Sequence, residues 1–318
     1  MNNRTSNRPP MTAILTISLN PAVDFSGEAH SVRHTRKVRT VNERYDPGGG
    51  GINVARVIAT LGGEAEALFV AGGEIGSLLD RRLQQEGIRR RLIPIAGQTR
   101  ISFTVREQST GLEYRFVPKG PAARADELEP CVDAVAAHEG DYVVASGSLP
   151  AGAPPDVYAR MAESAAARGA RFVLDSSGDG LRTTLQQSRV FLVKPSIGEL
   201  EQFVGQKLDE DGVRQAAVDL VTRGAAELVA VTLGAEGALL ASAKGILRVP
   251  ALHVRVRSAV GAGDSFLAAM TWGLSQGKAL EDAFRLGIAA GAAAVMTPGT
   301  ELCRRDDVLE LYRCLSRQ

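Results

Sequence analysis

Two glycine-rich segments of the 318-residue chain hold the residue types that chemistry needs. The first, Val260-Gly-Ala-Gly-Asp-Ser-Phe266, runs into the apolar stretch F-L-A-A-M-T-W-G-L. Gly261, Ala262 and Gly263 are small enough to let a ligand approach the backbone. The helix that follows offers unpaired N–H groups in its first turn, at the positive end of its dipole. Such a site suits phosphoryl oxygens that gain charge in a transition state. Asp264 is placed to take a proton from an attacking hydroxyl, a task for which an ionised carboxylate of modest basicity suffices. The bland alternative is a tight turn with Asp as an ordinary first-turn residue. The second segment, Pro47-Gly-Gly-Gly-Gly-Ile-Asn53, places four consecutive glycines before a helix. That run is costly in chain entropy and exceeds what a turn needs, so it predicts a ligand lying against backbone. Asn53 adds a donor and an acceptor, as a sugar hydroxyl requires. This is neither G-x-x-x-x-G-K-[ST] nor the strand-glycine-helix setting of a dinucleotide fingerprint.

The elements that position these segments alternate. Ala13–Leu19 reads as a strand and 52–61 as a helix with Ile52, Ala55, Ile58, Ala59 and Leu61 on one side, stopped by Gly62 and Gly63. Strand-like 65–71 and helix-like 75–86 follow, then strand candidates at 141–145, 171–175, 190–193 and 227–232. Helical stretches at 262–276, 280–295 and 305–316 close the chain. Near-continuous apolar strands separated by helices predict an α/β fold with a mostly parallel sheet covered on both faces. Two segments break the pattern. Residues 23–46 are polar, and 100–118 reads as a hairpin, I-S-F-T-V-R and L-E-Y-R-F-V around a Ser-Thr-Gly turn. Pattern alone allows either a small separate sheet or an extra hairpin on the main sheet's edge.

Composition narrows the function classes. The formal net charge is +1, which gives no general attraction for nucleic acid or anionic membrane. Cys131, Cys303 and Cys314 form no C-x-x-C pair, so neither a disulfide scaffold nor a zinc site is expected, and a reducing cytoplasm fits. His30 and His34 have a helix-face spacing, but their surroundings are polar and no metal site is read there. The first ten residues lack an apolar core, so residues 1–11 are expected to be a disordered extension rather than a signal peptide.

Six motifs in order, Asn20-Pro-Ala-Val-Asp24, Gly48-Gly-Gly-Gly-Ile-Asn53, Ser146-Gly-Ser-Leu-Pro150, Asp175-Ser-Ser-Gly178, Val193-Lys-Pro195 and Val260-Gly-Ala-Gly-Asp264, resemble the ribokinase-like sugar kinases of the phosphofructokinase-B branch. The likeness runs from about residue 12 to the end and is strongest to the minor bacterial 6-phosphofructokinases.

The resemblance implies a single kinase domain over 12–318 with a β lid at about 23–46 and 100–118. It implies ATP-dependent phosphorylation of fructose 6-phosphate, with fructose 1-phosphate or tagatose 6-phosphate as alternative acceptors and a non-catalytic sugar-phosphate sensor as a remoter reading. Asp264 would be the base beside the Gly261–Gly263 backbone. Asp24, at the end of the first strand, and Gly49, Gly50, Asn53 and Ser148 would hold the sugar. Arg100, with Lys37 or Arg39, would meet its phosphate, a role that bidentate arginine suits. Lys194, Ser196, Thr232, Gly234, Gly237, Ser258, Val260 and Gly263 would face the nucleotide, and Glu199 would act on Mg²⁺ through water. Ser196 stands where the family carries Asn, Ala259 where it often carries Thr, and Glu301 where an Arg tends to follow G-T. The last change puts K⁺ dependence in doubt. A weakly buried lid predicts a homodimer formed lid to lid.

Overall fold

Ile14, Leu15 and Ile17 have no polar face to offer, and they form β1 (Ile14–Ser18) in the interior of a sheet. In the computed structural model, which describes residues 14–316, the chain continues through β2 (Ala22–Ala29), β3 (Val41–Gly48), α1 (Gly50–Leu61), β4 (Glu66–Ala71), α2 (Gly73–Gln85), β5 (Arg89–Pro94), β6 (Arg100–Glu107) and β7 (Glu113–Phe116). There follow α3 (Ala125–Ala137), β8 (Tyr142–Ser146), α4 (Val157–Ala166), β9 (Arg171–Asp175), α5 (Gly178–Gln187), β10 (Val190–Val193), α6 (Ile197–Val204) and α7 (Glu210–Thr222). Then come β11 (Ala226–Thr232), β12 (Ala238–Ser242), β13 (Gly245–Val249), α8 (Ala262–Ser275), α9 (Leu280–Val295) and α10 (Arg305–Leu315). The extension expected over 1–11 lies outside the described residues.

Nine strands form the main sheet in the order β13-β12-β11-β10-β9-β8-β1-β4-β5, parallel except for β12 and β13. Alternate residues of each strand feed two cores. Ile14, Phe69, Val144 and Val173 pack under α1, α2, α8 and α9, while Leu15, Leu68, Val143 and Leu174 pack under α3 to α7. This is the α/β architecture that the strand-helix alternation predicts. Strand β1 pairs with β4 on one side and β8 on the other, so the chain reverses its direction of travel across the sheet there. A crevice opens beyond the carboxyl ends of the strands at such a switch point.

A second sheet, β3-β2-β6-β7, stands apart from the first. The 100–118 hairpin belongs to it and not to the main sheet's edge. Cross-strand partners share a face, so Asp24 opposite Asp46 and Ser26 opposite Arg44 put four polar side chains on one side. The other side carries Phe25 with Tyr45 and Phe103 at ring separations of 5.3 and 5.7 Å. Tyr45, Phe103 and Phe116 are exposed there.

Three strands escape the sequence pattern. The edge strand β5 opens on Arg89-Arg90-Arg91 and shows no apolar run, because charge is how an edge strand avoids pairing with another chain. The short strands β12 and β13 form an antiparallel extension whose outer member is half solvated.

Candidate active site

The crevice above β1 and β8 is a cavity of about 280 Å³. Its floor comes from the main sheet and α8, its roof from the second sheet. Gly261 caps α8 with φ +73°, a conformation that glycine adopts without strain. Leu302 would stand 2.6 Å from a Cβ there. The first helical bond runs from Ser265 N–H to Gly261 C=O, leaving the N–H groups of Ala262, Gly263 and Asp264 without a partner among the described residues.

Lys194 lies just behind this turn, its Nζ 3.3 Å from where a Cβ on Gly263 would be. A buried ammonium at the positive end of a helix is unfavourable unless negative charge shares the place. Asp175 supplies part of it at 3.1 Å. Burial pushes the Asp175 carboxyl up to about 6 while Lys194 pulls it down. The Lys194 ammonium is held above its ordinary range, because its carboxylate neighbours outweigh the cost of burial. An incoming phosphoryl group would complete the balance.

Asp264 faces the same space from the first turn of α8. Asn53 Nδ2 donates to its Oδ2 at 2.8 Å, which fixes the carboxylate. Burial raises its pKa above the ordinary carboxylate value, opposed by the Asn53 bond and by Lys194. A raised pKa improves a carboxylate as a base provided that it stays ionised.

The roof presents Asp24, Arg100, Ser102 and Arg115. Asp24 is also pushed up by burial, with Ser102, Arg100 and Arg115 opposing. Arg100 Nη1 and Nη2 donate to Pro118 C=O and Asn20 C=O, each at 2.7 Å, and burial lowers its pKa. Ser148 closes one side, accepting a 3.3 Å bond from Asn20 Nδ2. The donors and carboxylates therefore converge on one volume with room for a phosphorylated sugar.

Residues 12–307 match the model of the pfkB family of carbohydrate kinases. The chain belongs to that family. It is 48% identical over 302 residues to ATP-dependent 6-phosphofructokinase isozyme 2 of Mycobacterium tuberculosis, covering 94% of this chain and 88% of that protein. Phosphofructokinase-2 of Escherichia coli, solved in complex with fructose-6-phosphate, superposes with a TM-score of 0.90 at 37% identity over 96% of this chain and 100% of that one. It has also been solved in complex with potassium, with a TM-score of 0.92. The 1-phosphofructokinase of Bacillus subtilis is 32% identical over 293 residues, 91% of this chain and 95% of that one. The chain is thus a kinase on the ribokinase-like fold.

Asp24, Gly49, Gly50, Asn53, Arg100, Ser148, Glu199, Val260, Gly261 and Asp264, predicted from sequence, all line the cavity. Lys194 and Gly263 stand directly behind it. Asp24 corrects its expected place: it lies in β2 of the second sheet, beyond Asn20 and Pro21, and not at the end of β1. The four-glycine run needs a different reason from the one its composition suggests. A Cβ would lie 2.0 Å from Asp24 Oδ2 at Gly48, 2.1 Å from Ser146 Oγ at Gly50 and 2.2 Å from Ile17 C=O at Gly51, while Gly49 has φ +113°. The protein's own packing accounts for all four, and Gly49 and Gly50 border the cavity in addition.

Other residues sit outside. Lys37 and Arg39 lie on the exposed β2–β3 loop and do not line this cavity. Thr232 ends β11, and Gly234 and Gly237 form the turn that follows; none of the three lines this cavity, and Thr232 N–H donates to Pro195 C=O at 3.0 Å. Gly237 has its own packing reason, Val249 C=O at 2.3 Å from a Cβ. Ser258 is buried and its Oγ accepts from Val260 N–H at 3.2 Å. Ser196 is the N-cap of α6: its Oγ accepts from Glu199 N–H and donates to Glu199 Oε2. Serine suits that capping box, so the departure from Asn has a local structural use.

Sequence reasoning missed Arg115 and Asp175 as site residues. Arg115 sits in E-Y-R-F-V-P of β7 and lines the cavity with no hydrogen bond or ion pair to another side chain among the described residues. Strand alternation from Arg100 was the signal, since Thr104 pairs with Arg115 across β6 and β7 and shares a face with Ser102 and Arg100.

Proposed function

We propose that this kinase transfers the γ-phosphoryl group of ATP to the 1-hydroxyl of fructose 6-phosphate, giving fructose 1,6-bisphosphate. The observation that carries the reading is the meeting of Asp264 and the α8 N-terminus with Asp24, Arg100 and Arg115 in one cavity. A base, an anion site and a cationic roof are what a phosphorylated sugar acceptor requires. The identity to 6-phosphofructokinases from two bacteria supports the same acceptor.

Asp24 and Asn53 orient the sugar through its hydroxyls, while Arg115, with Arg100, holds the 6-phosphate. Asp264 takes the proton of the 1-hydroxyl as its oxygen attacks the γ-phosphorus. The N–H groups of Ala262 and Gly263, with the Lys194 ammonium, receive charge on the transferred group. Thr232, Gly234, Gly237 and Ser258 belong to the nucleotide side of this scheme.

The site suits Mg²⁺ held through water. Glu199 Oε2 is spent on Ser196 N–H and Oγ, Oε1 has no protein donor among the described residues, and Asp175 lies in the same cavity. Among the described residues no group of three carboxylate, His or Cys side chains could hold a metal ion directly. When bound, Mg²⁺ neutralises charge on the ATP phosphates. A monovalent cation near Glu301 would share that corner with Arg44 and Arg304, whose guanidinium groups already hold the carboxylate, so the proposal includes no K⁺ requirement.

Residues 12–318 are read as one domain with the second sheet as its lid. Exposed Tyr45, Phe103 and Phe116 on the lid's outer face support a homodimer formed lid to lid. Light scattering that gives a monomer at micromolar concentration would remove that part. Among the described residues no helix is long and apolar enough to cross a membrane, and a cytoplasmic location fits the free thiols of Cys131, Cys303 and Cys314. The reaction itself is tested by phosphorus NMR of the product formed from fructose 6-phosphate. Phosphate at both C1 and C6 is expected, and ATP turnover without a second sugar phosphate contradicts the reading.

A further inference from the structure

The lid sheet carries two carboxylates directly opposite each other, Asp24 on β2 and Asp46 on β3. Like charges in that relation destabilise a sheet unless each has a separate partner. Asp24 faces the cavity. Asp46 is buried and turns to the body: Thr300 Oγ1 donates to its Oδ2 at 2.6 Å, and Arg44 Nη2 to its Oδ1 at 3.2 Å. Thr300 Oγ1 also lies 3.2 Å from Ser26 Oγ, on the same lid face. Next along the chain, Glu301 Oε2 accepts from Arg44 Nη1 at 3.2 Å.

The segment that makes these contacts leads straight to the anion loop. Gly299 has φ +58° and lies so close to the lid that a Cβ would stand 2.9 Å from Ser26 Cβ and Oγ. Three residues later Leu302 packs against Gly261, the cap of α8. Residues 299–302 therefore touch the lid at one end and the phosphoryl-binding turn at the other, although Asp46 and Thr300 are 254 positions apart in sequence. Ser26, Asp46 and Thr300 are all buried, so the contact is screened little by solvent.

We infer that Asp46 and Thr300 form a latch that sets the height of the lid above the α8 turn, which makes both of them positioning residues for phosphoryl transfer. Neither lines the cavity. Their effect passes through Asp24, across the strand from Asp46, and through Gly261 by way of Leu302. The sugar phosphate is held between lid and body, while the nucleotide is assigned to body residues alone. Losing the latch therefore penalises the acceptor and spares ATP. This specificity of effect rests on the site reading given above; the mechanical coupling does not.

Thr300→Val keeps the shape and removes the donor. It is expected to lower kcat/KM for fructose 6-phosphate roughly tenfold or more, as loss of a charge-assisted bond in a positioning contact does, with KM for ATP changed less than about twofold. Thr300→Ser restores the hydroxyl and should recover most of the loss. Hydrogen exchange in the ligand-free protein supplies a readout independent of the acceptor: amides of 41–48 and 258–265 should both exchange faster in Thr300→Val, with β8 unchanged. Arg44→Met, at a half-exposed side chain, should shift both readouts in the same direction by a smaller factor, and it decides the matter if Thr300→Val does not fold. Wild-type exchange at 258–265 in a folded variant overturns the latch whatever the substrate is. Equal loss towards sugar phosphate and ATP overturns its positioning role. Faster exchange in a protein that ignores fructose 6-phosphate would keep the coupling and remove the acceptor assignment instead.

Discussion

The anion loop and the lid face each other across one cavity, but they are held in place by different means. The loop caps a helix buried between α1 and α9, and its charged neighbours are paired within the body: Lys194 with Asp175, Asp264 with Asn53. The lid is a four-stranded sheet with an exposed aromatic face, tied down by Arg100 on two carbonyls and by Asp46 on Thr300. A loop built this way presents the same donors whatever sits above it. A sheet built this way takes its working position from contacts at its edge. On the proposed reading, the chemistry of phosphoryl transfer resides in the body half and the choice of acceptor in the lid half.

Variants of the two halves should separate accordingly. Asp264→Asn removes the base and leaves the anion loop, so kcat should fall roughly 10²–10⁴-fold with little change in sugar-phosphate affinity. Steady-state kinetics near wild type would take Asp264 out of that role. On the lid, Arg115→Ala should cost about 10- to 100-fold in kcat/KM for the sugar phosphate, since a charged hydrogen bond to phosphate is worth about 1.5–3 kcal/mol. Turnover of unphosphorylated fructose should stay unchanged. A parallel loss on both sugars would place Arg115 elsewhere than at the phosphate.

The smallest effect is a shift in a pH profile. Burial raises the Asp264 pKa, and the Asn53 N–H opposes it by favouring the ionised carboxylate. The base must be ionised, so kcat falls as pH drops through this pKa. Asn53→Ala removes the opposing bond, and the acid limb of the kcat profile should move to higher pH. A limb that stays or moves lower would contradict the assigned contact.

The body half was largely legible in the sequence because its rules are local. Apolar runs mark buried parallel strands, Gly62 marks the end of α1, and G-A-G-D before an apolar helix marks an anion site. The lid was less legible. Its strands are solvated on one face or carry charge, and β2 pairs with β6 across seventy residues of chain that no local pattern reports. Arg115 passed unnoticed for that reason, and the resemblance left the second phosphate contact between Lys37 and Arg39 on the β2–β3 loop, which do not line the cavity. The glycine run was visible, but its cause was not: close approach of Ile17, Ser146 and Asp24 is a tertiary fact.

The most direct test is a coupled ADP-release assay with fructose 6-phosphate, fructose 1-phosphate, tagatose 6-phosphate and fructose offered in parallel. The account predicts the highest kcat/KM on fructose 6-phosphate and the lowest on fructose, which lacks the group that Arg115 and Arg100 hold. The highest kcat/KM on fructose 1-phosphate would contradict it.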